Sequence, residues 1–114
     1  KKRAKLVSKV RIGRGKSTGF CKKSDISKTV RRRSRAIRAC YEQRLQVKSD
    51  LRGKLSVRWT IGLNGKVRGA TVVNSSLNDS AVKGCILRVI RRMSFAKPEG
   101  GVCVIQWPFV FTSS

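Results

Sequence analysis

Apolar residues in this chain recur at two different periods, and the change of period marks the elements. From Ser24 or Asp25, either of which can cap a helix start, Ile26, Val30, Ile37, Cys40, Tyr41 and Leu45 follow at spacings of one helix face. The pattern predicts one long helix. After the turn "KSDLRG", Leu55, Val57, Trp59 and Ile61 alternate with Lys54, Ser56, Arg58 and Thr60, the period of a strand with one buried face. Asn64-Gly65 is expected to supply the two positive-φ residues of a tight hairpin, and "KVRGATVV" to return as the second strand. "NSSLNDS" then caps a second helix at Asn78 or Asp79, with Val82, Cys85, Ile86, Val89, Ile90 and Met93 on one face. Pro98 with Gly100-Gly101 turns the chain, and "VCVIQWPFVF" places Cys103, Ile105, Trp107, Phe109 and Phe111 on one side of a third strand.

The order helix, strand, strand, helix, strand gives an α+β class: a small three-stranded antiparallel sheet with two helices packed on one face. This domain is expected over 24–114. Ahead of it, residues 1–23 read as a basic arm in which "LVSKVRI" could add an N-terminal strand and "GRGKSTG" is a flexible connector. Pro108 has no N–H to give a ladder, so the last strand is expected at a sheet edge, at least locally, or with that nitrogen turned away from its neighbour. An edge strand is an available docking site.

Charge changes this picture more than length does. At 114 residues one domain is expected, but 28 Lys and Arg against five acids give a net charge of +23, enough to adhere to any polyanion at low salt. Nucleic acid is therefore a partner to consider. Fifteen of the basic residues precede Ala36. On the first helix Lys28, Arg31, Arg32, Arg35 and Arg38 fall opposite the apolar stripe, as the solvated side of an amphipathic helix or as a weak polyanion contact. Arg33 is the exception, since it points into the stripe and must snorkel out or find an acid. Trp59, Trp107, Phe109 and Phe111 fall in the apolar register, where core is expected rather than a base-stacking face. Trp107, beside Pro108, is the aromatic most open to a partner contact.

Chemistry finds few carriers. The chain has no histidine, and its five acids sit mostly in caps and turns, so no catalytic site and no cofactor is expected. Gly-x-Gly in "RIGRGKST" lacks the full phosphate-loop pattern. Four cysteines without histidine or a Cys-x-x-Cys pair argue against a metal. Cys40 and Cys85 lie on the apolar faces of two helices that share one side of a sheet, so a bridge between them is one reading, with Cys21 and Cys103 as a second pair. Four buried reduced thiols are the other, and the choice decides the compartment. No run of eighteen apolar residues and no signal-peptide pattern occurs, which places any membrane segment outside this fragment.

Several blocks in order, "AIRACYEQRL", "GKLSVRWTIGLNGKVRGATVVNSS", "VKGCILRVIRRMSF", "KPEGG" and "PFVF", resemble the TonB C-terminal domain family, in its AgmX/PglI-type branch from gliding bacteria. The resemblance covers about Asp25 to Phe111. It implies a non-catalytic periplasmic interaction domain at the end of a protein anchored in the inner membrane, coupling a motor or transport complex to the outer membrane or cell wall in gliding motility. TonB takes an extended segment of an outer-membrane protein as an added strand. On this chain that role maps to the last strand, with Val102, Val104, Ile105, Gln106, Trp107, Pro108 and Phe109 as contacts. Cys40 and Cys85 fall in matching blocks, "ACYE" and "C-x-L-R", so the resemblance implies their disulfide and a periplasmic location. Cys21 and Cys103 lie outside the family pattern. The charge exceeds what the family implies and leaves peptidoglycan or anionic envelope groups as secondary partners. A basic nucleic-acid-binding domain is the alternative function.

Overall fold

The computed structural model describes residues 8–13 and 15–113. The opening "KKRAK" and the first residues of "LVSKVRI" lie outside the described residues. The elements run β1 (Ser8–Ile12), β2 (Lys16–Gly19), α1 (Lys23–Arg32), α2 (Ser34–Leu45), β3 (Gly53–Ile61), β4 (Val67–Ser75), α3 (Ser80–Arg91) and β5 (Cys103–Ser113). The α+β class holds, but the sheet has five strands rather than three. Its order is β1-β5-β3-β4, with β2 also on β5, and every pairing is antiparallel.

The two long inner strands follow the alternation in the sequence. Leu55, Val57, Trp59 and Ile61 of β3 and Cys103, Ile105, Trp107, Phe109 and Phe111 of β5 are all buried, and they pair across an unbroken register from Gly53↔Phe111 to Ile61↔Cys103. Period-two burial on both partners puts every large side chain in one layer, which the helices cover with Ile26, Val30, Ile37, Tyr41 and Ile86. Tyr41 stacks at 5.1 Å from Phe111 and donates its hydroxyl to the Leu51 carbonyl, so its polar tip is satisfied inside the core.

Four local features differ from the expectation. The first helix is two helices: it breaks at Arg33 (φ −97°, ψ 11°), whose N–H bonds back to Val30 instead of continuing the α ladder. On an uninterrupted helix Arg33 would fall among Ile26, Val30 and Ile37; at the elbow it is half-buried, with its Nε inaccessible to solvent and without a hydrogen-bond partner. The helix also starts at Lys23 with no side-chain cap, so neither Ser24 nor Asp25 caps it. The β3–β4 hairpin is where it was expected, but Asn64 has negative φ. Gly65 alone is left-handed (φ 80°), its N–H closes a turn onto the Gly62 carbonyl, and Asn64 Oδ1 accepts the Lys66 N–H at 3.0 Å. Finally, Lys16–Gly19, expected as part of a connector, forms β2.

Asp79 caps α3 as one of the two expected residues. Its Oδ1 accepts the Val82 N–H at 2.9 Å and its Oδ2 meets Arg44 Nε at 3.0 Å and Lys48 Nζ at 3.7 Å. Burial by itself would raise the carboxyl pKa, but the Val82 N–H and the Arg44 guanidinium together hold it below its ordinary 3.8. A folded-state pKa below the unfolded one means stabilisation that is present above the unfolded value and lost as pH falls through the folded value. Urea midpoints are therefore expected to hold down to about pH 5 and to decline below about pH 4. Asp79→Asn should flatten that acid limb, and an unchanged limb in the variant would remove Asp79 from the account.

Candidate functional site

The last strand is not an edge. β3 pairs along one side of β5, and the head of the chain covers the other: Ser8–Ile12 pairs with Phe109–Ser113, and Lys16–Gly19 with Cys103–Gln106. The expected docking position is thus occupied by the chain itself. Pro108 marks where this cover is interrupted. Its carbonyl accepts the Gly13 N–H at 3.0 Å, and because a strand residue directs its N and C=O to the same side, the missing donor also faces the head. The break between β1 and β2 falls opposite that missing donor. Of the two expectations for Pro108, a nitrogen that asks nothing of β3 is the one that holds.

The seven residues expected as contacts divide between the two faces. Ile105, Trp107 and Phe109 are buried under the helices, Gln106 and Pro108 are half-buried on the opposite face, and Val102 and Val104 are 43% and 39% exposed. Trp107, expected as the aromatic most open to a partner, is 1% exposed, and a Cβ at Gly15 would land inside its indole ring. Its neighbour is therefore the chain's own glycine.

The sheet ends in the head strands β1 and β2 on one side and in β4 on the other, and β4 is poorly suited to strand addition. Its register with β3 shifts twice, at Ser56/Val57 and Arg58/Thr60, and Gly69 sits at φ 61°. Arg91 of α3 reaches the Ala70 carbonyl at 3.4 Å, and Lys66 bridges to Ser94. Bulges and a covering cation are means by which sheet edges avoid adventitious pairing.

Both cysteine pairs form disulfides, Cys40–Cys85 with Cα atoms 5.6 Å apart and Cys21–Cys103 with Cα atoms 6.0 Å apart. No cysteine is free. Two disulfides place the domain in an oxidising, non-cytoplasmic compartment. No described helix is long and apolar enough to cross a membrane, and no metal-holding cluster of Cys, Asp and Glu occurs among the described residues. Cys40–Cys85 ties α2 to α3, while Cys21–Cys103 anchors the end of β2 to the start of β5.

Lys28, Arg31, Arg32, Arg35 and Arg38 are exposed on the outer side of α1 and α2, with Arg31 Nε 3.3 Å from Ser27 Oγ. A second basic surface was not read from the sequence. On the uncovered face of the sheet the register aligns Arg11 with Val110, Lys16 with Gln106, Arg58 with Gln106 and Thr60 with Arg68, and no acid or aromatic residue of β3 or β5 faces that way. Arg58 donates to Gln106 Oε1 at 3.2 Å across this face. The signal was present as the polar half of each strand's alternation, but only pairing gathers those cations from four strands. No protein-family model, curated protein or solved structure matches the chain.

Proposed function

We propose that the domain is a non-catalytic protein-interaction module of TonB type in the periplasm, taking an extended partner segment on β5 in exchange for its own head. The single observation that supports this reading is the state of the side of β5 that faces the head. A strand whose register with β3 is unbroken carries two short added strands, one of five and one of four residues, joined across the interruption at Pro108. Short strands hold few main-chain hydrogen bonds, so a partner with a longer continuous strand gains bonds by replacing them. The blunted edge of β4 and the oxidising compartment agree with docking at β5. In this reading the module couples an inner-membrane complex to a protein of the outer membrane or cell wall, as in gliding motility.

The nucleic-acid reading is less well supported. Its charge requirement is met, but the uncovered sheet face offers no aromatic on which bases could stack.

The exchange is tested with a chain lacking residues 1–19 and a synthetic peptide of residues 8–19. Saturable binding in the micromolar range is expected, with amide protection returning along β5. Protection appearing on β4, or no saturable binding, would remove the strand-exchange reading.

A further inference from the structure

Apolar side chains that the core does not use collect at one end of the sheet. Among the described residues six large apolar side chains are exposed, and four of them, Phe20, Leu63, Val102 and Val104, lie on three adjacent strands or their continuations. Cys103 pairs with Gly19 on one side and with Ile61 on the other, so Phe20 and Leu63 prolong β2 and β3 past the end at which Val102 enters β5. Leu63 is 61% exposed in a turn that the Gly65 N–H closes onto the Gly62 carbonyl, a place where nothing in the fold asks for an aliphatic residue. Phe20 is 57% exposed, and its ring rests on Gly100 and Gly101, at either of which a Cβ would come within 3.1 Å of it. Single exposed apolar residues are ordinary, but a group of them rimmed by charge marks an interaction surface.

On the open face of the sheet the charge around this end has one sign. Val104 shares a recess with Lys16, Thr18, Arg58 and Gln106. The Arg68 side chain lies along Gly62, 3.1 Å from where a Cβ would stand, and so runs beside Leu63, while Lys66 is exposed just after the turn. None of the chain's five acids lies on a strand. Behind Phe20, in a cleft that also reaches Ile61 and Phe95, Lys22 and Lys97 are balanced by Asp25 and Glu99. The net positive charge at this end therefore comes from the sheet side.

We propose that this end of the sheet docks on an anionic lipid bilayer, with Phe20, Leu63 and Val102 entering the interfacial layer and Lys16, Arg58, Lys66 and Arg68 meeting lipid phosphates. The chemistry selects that partner. An anionic polymer in water would satisfy the cations and leave the aliphatic tips wet, whereas the boundary between headgroups and acyl chains takes both. A second copy of the chain could cover the apolar group, but a two-fold contact would bring the same cations against their like. The assignment does not depend on the strand-exchange reading: vesicle binding by the intact chain is expected whether or not the peptide of residues 8–19 binds.

The experiment uses the full disulfide-bonded chain with ¹³C-labelled Leu and Val methyl groups. It is mixed with vesicles of phosphatidylglycerol and phosphatidylcholine that carry a nitroxide on the acyl chain, and with vesicles of phosphatidylcholine alone. Val47 is the internal control, because it is as exposed as Leu63 but lies near Ser49, which meets Ser113 at the far end of β5. Broadening of the Leu63 and Val102 methyls well beyond that of Val47, with the anionic vesicles only, supports the docking. In co-sedimentation Leu63→Ser is expected to weaken partitioning by about tenfold and Val47→Ser by less than about twofold. Arg58→Gln combined with Arg68→Gln should weaken it by about tenfold. Should Leu63→Ser disturb the hairpin, Val102→Ser carries the comparison. Binding that is indifferent to the loss of Leu63, equal binding to phosphatidylcholine, or no binding to the anionic vesicles overturns the proposal. Self-association of the free chain that Leu63→Ser abolishes also overturns it, by giving the apolar end to a second copy.

Discussion

Replacing Cys40 and Cys85 together with alanine is expected to lower the free energy of unfolding by about 4 kcal/mol. The bridge spans 45 residues, and in the chain-entropy account a loop of that length restricts the unfolded ensemble by roughly this amount. The native state loses less, because α2 and α3 are also joined by the Arg44–Asp79 pair and by the shared core. Both tryptophans are buried, so their fluorescence reports global unfolding. In urea, a slope of about 2 kcal/mol per molar converts the loss into a midpoint lower by about 2 M. A midpoint within about 0.5 M of the parent would mean that the unfolded chain retains enough structure to make the bridge redundant.

The second large effect is local. Gly15→Leu is expected to lift the head from β5 while leaving the rest of the sheet folded. Gly15 is buried and is not among the residues of positive φ, so the glycine is required by space rather than by backbone conformation. Even a methyl group there would fall within the Trp107 indole, and that ring is fixed by the core on its other side. Overpacking of this kind costs about 1–3 kcal/mol. If the strain is released by lifting the head, amides of β1 and β2 should exchange roughly tenfold to hundredfold faster, with those of β3 little changed. In the strand-exchange reading the same substitution admits a partner segment more readily. Equal acceleration across all strands would show instead that the head is inseparable from the core.

Much of the central fold was legible because one face of each long strand had to be apolar. The alternation from Leu55 to Ile61 and from Cys103 to Phe111 fixed which residues are buried, and the helix-face spacing of Val82, Ile86 and Ile90 fixed the face of α3. The same reasoning missed the placement of the head, for which the decisive contact involves a residue without a side chain. Gly15 is legible as a flexible point, whereas its role as the gap that receives Trp107 exists only once β2 is paired. Pro108 carries a true signal: a missing donor marks a local interruption in pairing, and here two strands accommodate it by breaking opposite it. The exposed arginines of the first helix were read as a solvated face and are exposed. Arg33 stands out in its segment as the misfit on the apolar stripe, but nothing there indicates that the helix bends at it.

The direction in which the head runs has a mechanical consequence. Ser8 lies opposite Ser113, so the two ends of the described chain leave the sheet side by side. Tension applied between them would open the β1–β5 ladder like a zipper, loading one hydrogen bond at a time, and would then reach β2. There the Cys21–Cys103 link, at the far end of the overlap, converts further peeling into a load on a covalent bond. Tension along β5, from Ser8 away from the disulfide, would instead shear both short strands at once and distribute the load over all their bonds. The same nine strand residues are therefore weak in one pulling geometry and strong in the other, with a fixed limit to their extension.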